Sequence, residues 1–143
     1  MSSTHTTYFA VALDQKIFPW ACAVIIANLV HFIVINTMGG KHRKAMFSET
    51  YMKENFGDEH SKAFKHQVPK GGYPDCGNGV YSAKLSYKEW FMFNIAQRNA
   101  KNYVEMITPF IFALIILAIV WPIVSIVYGC ANIIFRIIFV ILY

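Results

Sequence analysis

The chain has 143 residues, 56% of them hydrophobic, with a mean hydropathy of +0.40 and a formal net charge of +5. That is too apolar for an ordinary soluble domain of this length. The positive charge does not mark a nucleic-acid binder, because the basic side chains are mixed with Glu49, Glu54, Asp58, Glu59, Asp75 and Glu89.

The N-terminal stretch MSSTHTTYFAVALDQ lacks the basic region of a secretory signal and the arginines of a mitochondrial transit peptide. The apolar run that follows, residues 17–38, is long enough to cross a bilayer core of roughly 30 Å. It reads as an uncleaved first span. Asn28 and His31 inside it read as partners for hydrogen bonds between helices.

Next comes a loop, residues 39–89, with nine Lys or Arg, three of them (Lys41, Arg43, Lys44) directly after the span. Only Lys16, beside Asp14, stands in the segment before the span. Positive-inside asymmetry puts the loop on the cytosolic side, or on the matrix side of a mitochondrial inner membrane. The 41–44 cluster also suits anionic lipid headgroups. The first half of the loop has weak helical character; its second half, PKGGYPDCGNG, is a cluster of turn formers. Cys22 and Cys130 lie in apolar spans and Cys76 in the loop, so no disulfide framework is indicated. No metal site is read.

The second span covers about 90–121 and, as a helix, is roughly 48 Å long, more than the bilayer needs. Pro109 lacks the N–H that would pair with the Glu105 carbonyl, so a kink is expected there. Trp121-Pro122 forms a break, and a third span occupies about 123–143. The expected architecture is an all-α, integral membrane helical bundle with three transmembrane helices, one domain over 1–143.

Arg98, Asn102 and Glu105 are spaced four and three apart, so they stack on one helix face. Ionisable groups at a membrane helix are costly and point to function. Counted back from the 121–122 turn at 1.5 Å per residue, Glu105 lies about 24 Å out and Arg136 about 21 Å. Asn102, Tyr143 and Arg98 lie about 28, 32 and 35 Å out. Ser125, Asn132, Arg136 and Tyr143 share a face of the third span. The polar groups therefore converge near one leaflet, as a site for a polar, partly anionic molecule. A simple Glu105–Arg136 ion pair is the alternative.

The stretch FNIAQRNAKNYVEMITPFIF resembles the signature of the MAPEG superfamily, membrane-associated proteins of eicosanoid and glutathione metabolism. Its pattern R-x-x-x-N-x-x-E followed by Pro is met by Arg98, Asn102, Glu105 and Pro109. Phe93-Asn94 and Gln97 look most like the microsomal glutathione S-transferases of the third type. GGKHRKAMF is similar to the family's basic segment, and the stretch from Pro122 to Arg136 to its third helix, which carries an arginine followed by tyrosines. The resemblance implies a homotrimer of four-helix subunits with glutathione, as co-substrate, between neighbours. By position, Arg98, Asn102, Glu105 and Arg136 would hold it, with Arg43, Lys44 and Tyr143 assisting. Arg136 would also act catalytically, by favouring the thiolate.

Four features depart from that pattern. A fourth helix is not seen before Tyr143, Phe139 stands where a tyrosine is usual, the 39–89 loop is long, and Asn99-Ala100 replaces a common alanine-histidine pair. The expected function is a glutathione transferase or peroxidase acting on lipophilic electrophiles or lipid peroxides, in endoplasmic reticulum or mitochondrial membranes. The alternative is a non-catalytic accessory subunit of a larger membrane complex, such as a mitochondrial respiratory assembly.

Overall fold

A computed structural model describes residues 14–142. Its elements are α1 (Phe18–Met46), α2 (Glu49–Phe64), a 3-10 turn (Ser82–Lys84), α3 (Tyr87–Val120) and α4 (Pro122–Leu142). The three helices α1, α3 and α4 are each long and apolar enough to cross a membrane, and they pack against one another. Most of their large apolar side chains point outward, as a lipid-facing bundle requires.

The Asp14 side chain accepts the N–H groups of Lys16 and Ile17 at 3.0 and 3.2 Å, which turns the chain into α1. Pro19 follows in the first turn, where a missing N–H costs nothing. The helix does not end at 38, where the apolar run ends. It continues through Gly39-Gly40 to Met46, with Arg43 and Lys44 in the last turn, where the helix dipole favours cations. Hydropathy marks what lies in lipid, not where helical hydrogen bonding stops.

Between α1 and α3 a small second core forms outside the span. Phe47, Met52 and Phe56 pack with Phe93 from the first turns of α3, and the Phe47 and Phe93 rings meet edge to face at 4.9 Å. This packing converts the weak helical signal after residue 45 into α2, capped by Ser48, whose hydroxyl accepts the Tyr51 N–H. Gly72 has φ +64, and a Cβ there would lie 2.4 Å from the Phe47 ring, so only glycine fits the turn against this core.

A capping box between Ser86 and Glu89 starts α3. The helix runs 34 residues, through Pro109 without interruption. Its buried positions, Phe93, Tyr103, Ile107, Leu114 and Ala118, form an inner face. Trp121 ends it, and Pro122 opens α4. Small residues set the close approach of α1, α3 and α4: Ala21, Ala118, Ser125 and Gly129 are buried. Ser125 Oγ donates to the Leu114 carbonyl at 2.9 Å. Asn28, fully buried, donates to the Gly129 carbonyl at 3.1 Å and accepts from Asn132 at 2.9 Å, as its position in the first span led one to expect.

Candidate functional site

On α3 the side chains of Arg98, Asn102 and Glu105 all lie on the exposed side, away from the Tyr103–Ile107 inner face. They line one cavity of about 340 Å³ together with Asn99, Lys101 and Phe139 of α4. The stripe is therefore one wall of a concave site. Sequence spacing had found three of its members; Asn99 and Lys101, between them on the same turns, were missed.

Arg136 approaches this wall from α4. Its Nη1 donates to Asn102 Oδ1 at 2.9 Å and its Nη2 to the Asn99 carbonyl at 2.6 Å. The depth count had set it level with Glu105, and here the structure differs. The arginine stem is about one helical turn long, and the side chain extends toward the loop end, where backbone and amide acceptors stand. Among the described residues no ion pair joins Arg136 to Glu105. The ion pair found among the described residues is Lys70–Glu49 at 2.7 Å, on the extramembrane unit.

Behind the wall, Tyr103 is 2% exposed. Its hydroxyl lies 2.9 Å from His31 Nδ1, so His31, like Asn28, links helices. The Arg136 guanidinium carbon sits 4.3 Å from the centre of the Tyr103 ring and 5.1 Å from that of Phe139. Arg136 Nε, His31 Nε2 and Asn99 Oδ1 are buried without a hydrogen-bond partner. Tyr103 was not singled out from the sequence, although its register with Ile107, Leu114 and Ala118 marks it as inward-facing.

Arg43, expected at this site beside Lys44, is used elsewhere. It is 4% exposed, donates to the carbonyls of Gly71 (3.3 Å), Gly72 (3.1 Å) and Asp75, and lies over the rings of Tyr73 and Phe93. It is a clasp for the loop, not a free cation. The Lys44 side chain is exposed and makes no hydrogen bond or ion pair with a described residue. Tyr143 lies outside the described residues.

A second, larger cavity of about 570 Å³ opens between α2 and residues 74–81, lined by Phe56, Phe64, Val80 and Tyr81, with Glu59, His60 and Cys76. One wall is fixed by Asp75. Its carboxylate accepts the N–H of Gly77 (2.7 Å), Gly79 (3.1 Å) and Ser82 (2.7 Å) and the Ser82 hydroxyl (3.0 Å). Burial pushes the Asp75 carboxyl up, but these four hydrogen bonds outweigh it and hold the group below the ordinary carboxylate range. Trp90 Nε1 and Asn94 Nδ2 both donate to the Gly77 carbonyl, at 2.9 and 3.0 Å, tying the turn to α3.

Comparison with known proteins gives one result that spans the bundle and the site together: the family model described as MAPEG family matches residues 17–143. No curated protein and no solved structure matches the chain.

Proposed function

The chain belongs to the MAPEG family, as an integral membrane protein, and from that premise we propose that it binds glutathione at the Arg98–Asn102–Glu105 wall and transfers it to lipophilic acceptors. Family members typically use this tripeptide. The observation that carries the reading is the shared cavity: two cation sources, two amides and an unpaired carboxylate meet in one concavity, with Arg136 anchored to its rim. Glutathione has two carboxylates to match guanidinium groups and an amine to match Glu105. A guanidinium near the sulfur favours the thiolate, the thiol proton passing to solvent. The sulfur bonds the electrophilic carbon as its leaving group departs, or takes the terminal oxygen of a lipid peroxide, releasing the alcohol, after which a second glutathione yields the disulfide and water. Lipophilic electrophiles or lipid peroxides reach it through the bilayer.

In an isolated subunit, Arg98, Asn102 and Glu105 face outward. Exposed to lipid, such groups are costly, so a neighbouring copy covering the stripe fits the reading, as a homotrimer does. The basic 41–44 segment favours the cytosolic or matrix side for this end of the bundle.

The test is titration calorimetry of the purified protein in detergent. Expected is glutathione binding in the micromolar to millimolar range, abolished by Arg98→Ala and by Arg136→Ala. Heat-silent titration of well-folded wild type, confirmed by equilibrium dialysis, refutes the reading. One observation favours a second role, as an accessory subunit of a larger membrane assembly: the 570 Å³ groove is bordered by Phe64 and Val80, 63% and 70% exposed, a surface suited to a partner. Copurification with a complex at fixed stoichiometry supports that role; isolation as a free homo-oligomer removes it.

A further inference from the structure

Two hydrogen bonds tie the edge of the Arg136 guanidinium to the cavity wall, and they leave its faces to be covered by other groups. The nearer of the two rings beside it belongs to Tyr103, Phe139 lying farther off at 5.1 Å. Tyr103 presents its face to the Arg136 guanidinium carbon at 4.3 Å, a favourable cation–π contact. The ring itself is held from α1: Phe32 packs against it edge-on, with centres 5.4 Å apart, and His31 Nδ1 lies 2.9 Å from its hydroxyl. Helix α1 thus fixes a ring on α3, and the ring fixes a cation on α4. With the ring behind it, the guanidinium meets Asn102 and the Asn99 carbonyl through Nη1 and Nη2, and each terminal nitrogen keeps a second N–H. Neither His31 nor Tyr103 belongs to the Arg98–Asn102–Glu105 pattern.

Resting on the glutathione reading above, we infer that Tyr103, braced by His31 and Phe32, is the positioning residue for Arg136, holding its guanidinium at the Asn99–Asn102 wall so that it meets the bound peptide. Without the Tyr103 face the cation keeps its two hydrogen bonds and the more distant Phe139 ring, and it is less tightly pre-arranged.

Three variants separate ring from hydroxyl. Tyr103→Leu removes the face, Tyr103→Phe keeps it, and His31→Leu removes one brace. Calorimetry should show glutathione affinity falling about tenfold in Tyr103→Leu, within the range of a partly buried cation–π contact. Tyr103→Phe and His31→Leu should stay within about threefold, because Phe32 still holds the ring edge-on. Helical content and oligomer size should be unchanged. Rescue by phenylalanine assigns the effect to the ring and not to the hydroxyl. Wild-type affinity in Tyr103→Leu overturns the inference, as does Tyr103→Phe binding as poorly as the leucine variant. A wild type that binds no glutathione refutes the functional reading, and the positioning is then read directly. Arginine side-chain nitrogen–proton spectra of wild type, with the Arg136 signal identified by its loss in Arg136→Lys, should show the upfield ring-current shift of protons held over a ring face. An unshifted Arg136 signal overturns the positioning whatever the glutathione result, and this measurement stands even if Tyr103→Leu does not fold.

Discussion

Arg43 and Arg136 carry the same fork of donors and end in opposite settings. Arg136 reaches one turn along its helix to the wall of a cavity, while Arg43 turns into the loop and spends its donors on three backbone carbonyls between two rings. A planar, many-donor cation suits that clasp, and lysine does not, because an ammonium neither stacks on Tyr73 nor reaches all three carbonyls. Arg43→Lys should therefore weaken the extramembrane unit by about 1–3 kcal/mol, the cost of buried acceptors left short of donors. Limited proteolysis between residues 65 and 81 measures it: the variant should be cut faster in the loop while the membrane helices survive. Equal cutting rates would show that the clasp carries no stability. The role of Arg43 was not legible in the sequence, because the carbonyls converge only after Gly72 adopts its left-handed turn against Phe47. The role of Asn28 was legible, because an amide inside a lipid-length apolar run has little choice but to bond another helix.

The helices themselves were readable wherever a single physical rule governs them. Runs of about 20 apolar residues gave the three spans, and Trp121-Pro122 gave the hinge between α3 and α4. What spacing could not yield was the end of α1 or the existence of α2, since both depend on the contacts of Phe47 and Met52 with Phe93, some 40 residues away in sequence. The outward stripe of α3 was visible as a helical repeat, yet the residue behind it, Tyr103, reads in isolation as one more aromatic in an apolar helix. Contact between elements is also where a small residue becomes decisive. At Gly129 an added Cβ would come 2.3 Å from Val24 and 3.2 Å from the Asn28 amide. Gly129→Val should push α4 off α1, disturb the Asn28 bonds, and cost about 1–3 kcal/mol by overpacking. Thermal unfolding in detergent, followed by circular dichroism, reads this loss. An unchanged midpoint would mean that the helix pair has room the structure does not display.

At the scale of the molecule the chain is two packed regions that share α1 and α3: a lipid-facing bundle, and a small aqueous unit of α2 and the 65–86 segment. The aqueous unit has a modest apolar core, so its order leans on Asp75, whose carboxylate collects four hydrogen bonds from residues 77–82. Those bonds need the ionised form, and they hold the carboxyl below its ordinary value. A lowered folded-state value means the stabilisation is fully present above the unfolded value of about 3.9. It is lost as pH falls through the folded one, while the apolar bundle, with few groups that titrate there, stays intact. Trp90 reports the change, because its indole N–H bonds the Gly77 carbonyl in the same turn. In a variant with Trp20 and Trp121 replaced by Phe, Trp90 emission should remain constant from neutral pH down to the ordinary carboxylate range and shift only below it. Asp75→Asn loses an acceptor for the Ser82 N–H and should show the loosened signal already at neutral pH, with about 1–3 kcal/mol lost. A transition at or above the ordinary aspartate value, or a neutral-pH spectrum of Asp75→Asn identical to that of its parent, would mean that a different group holds the loop against α3.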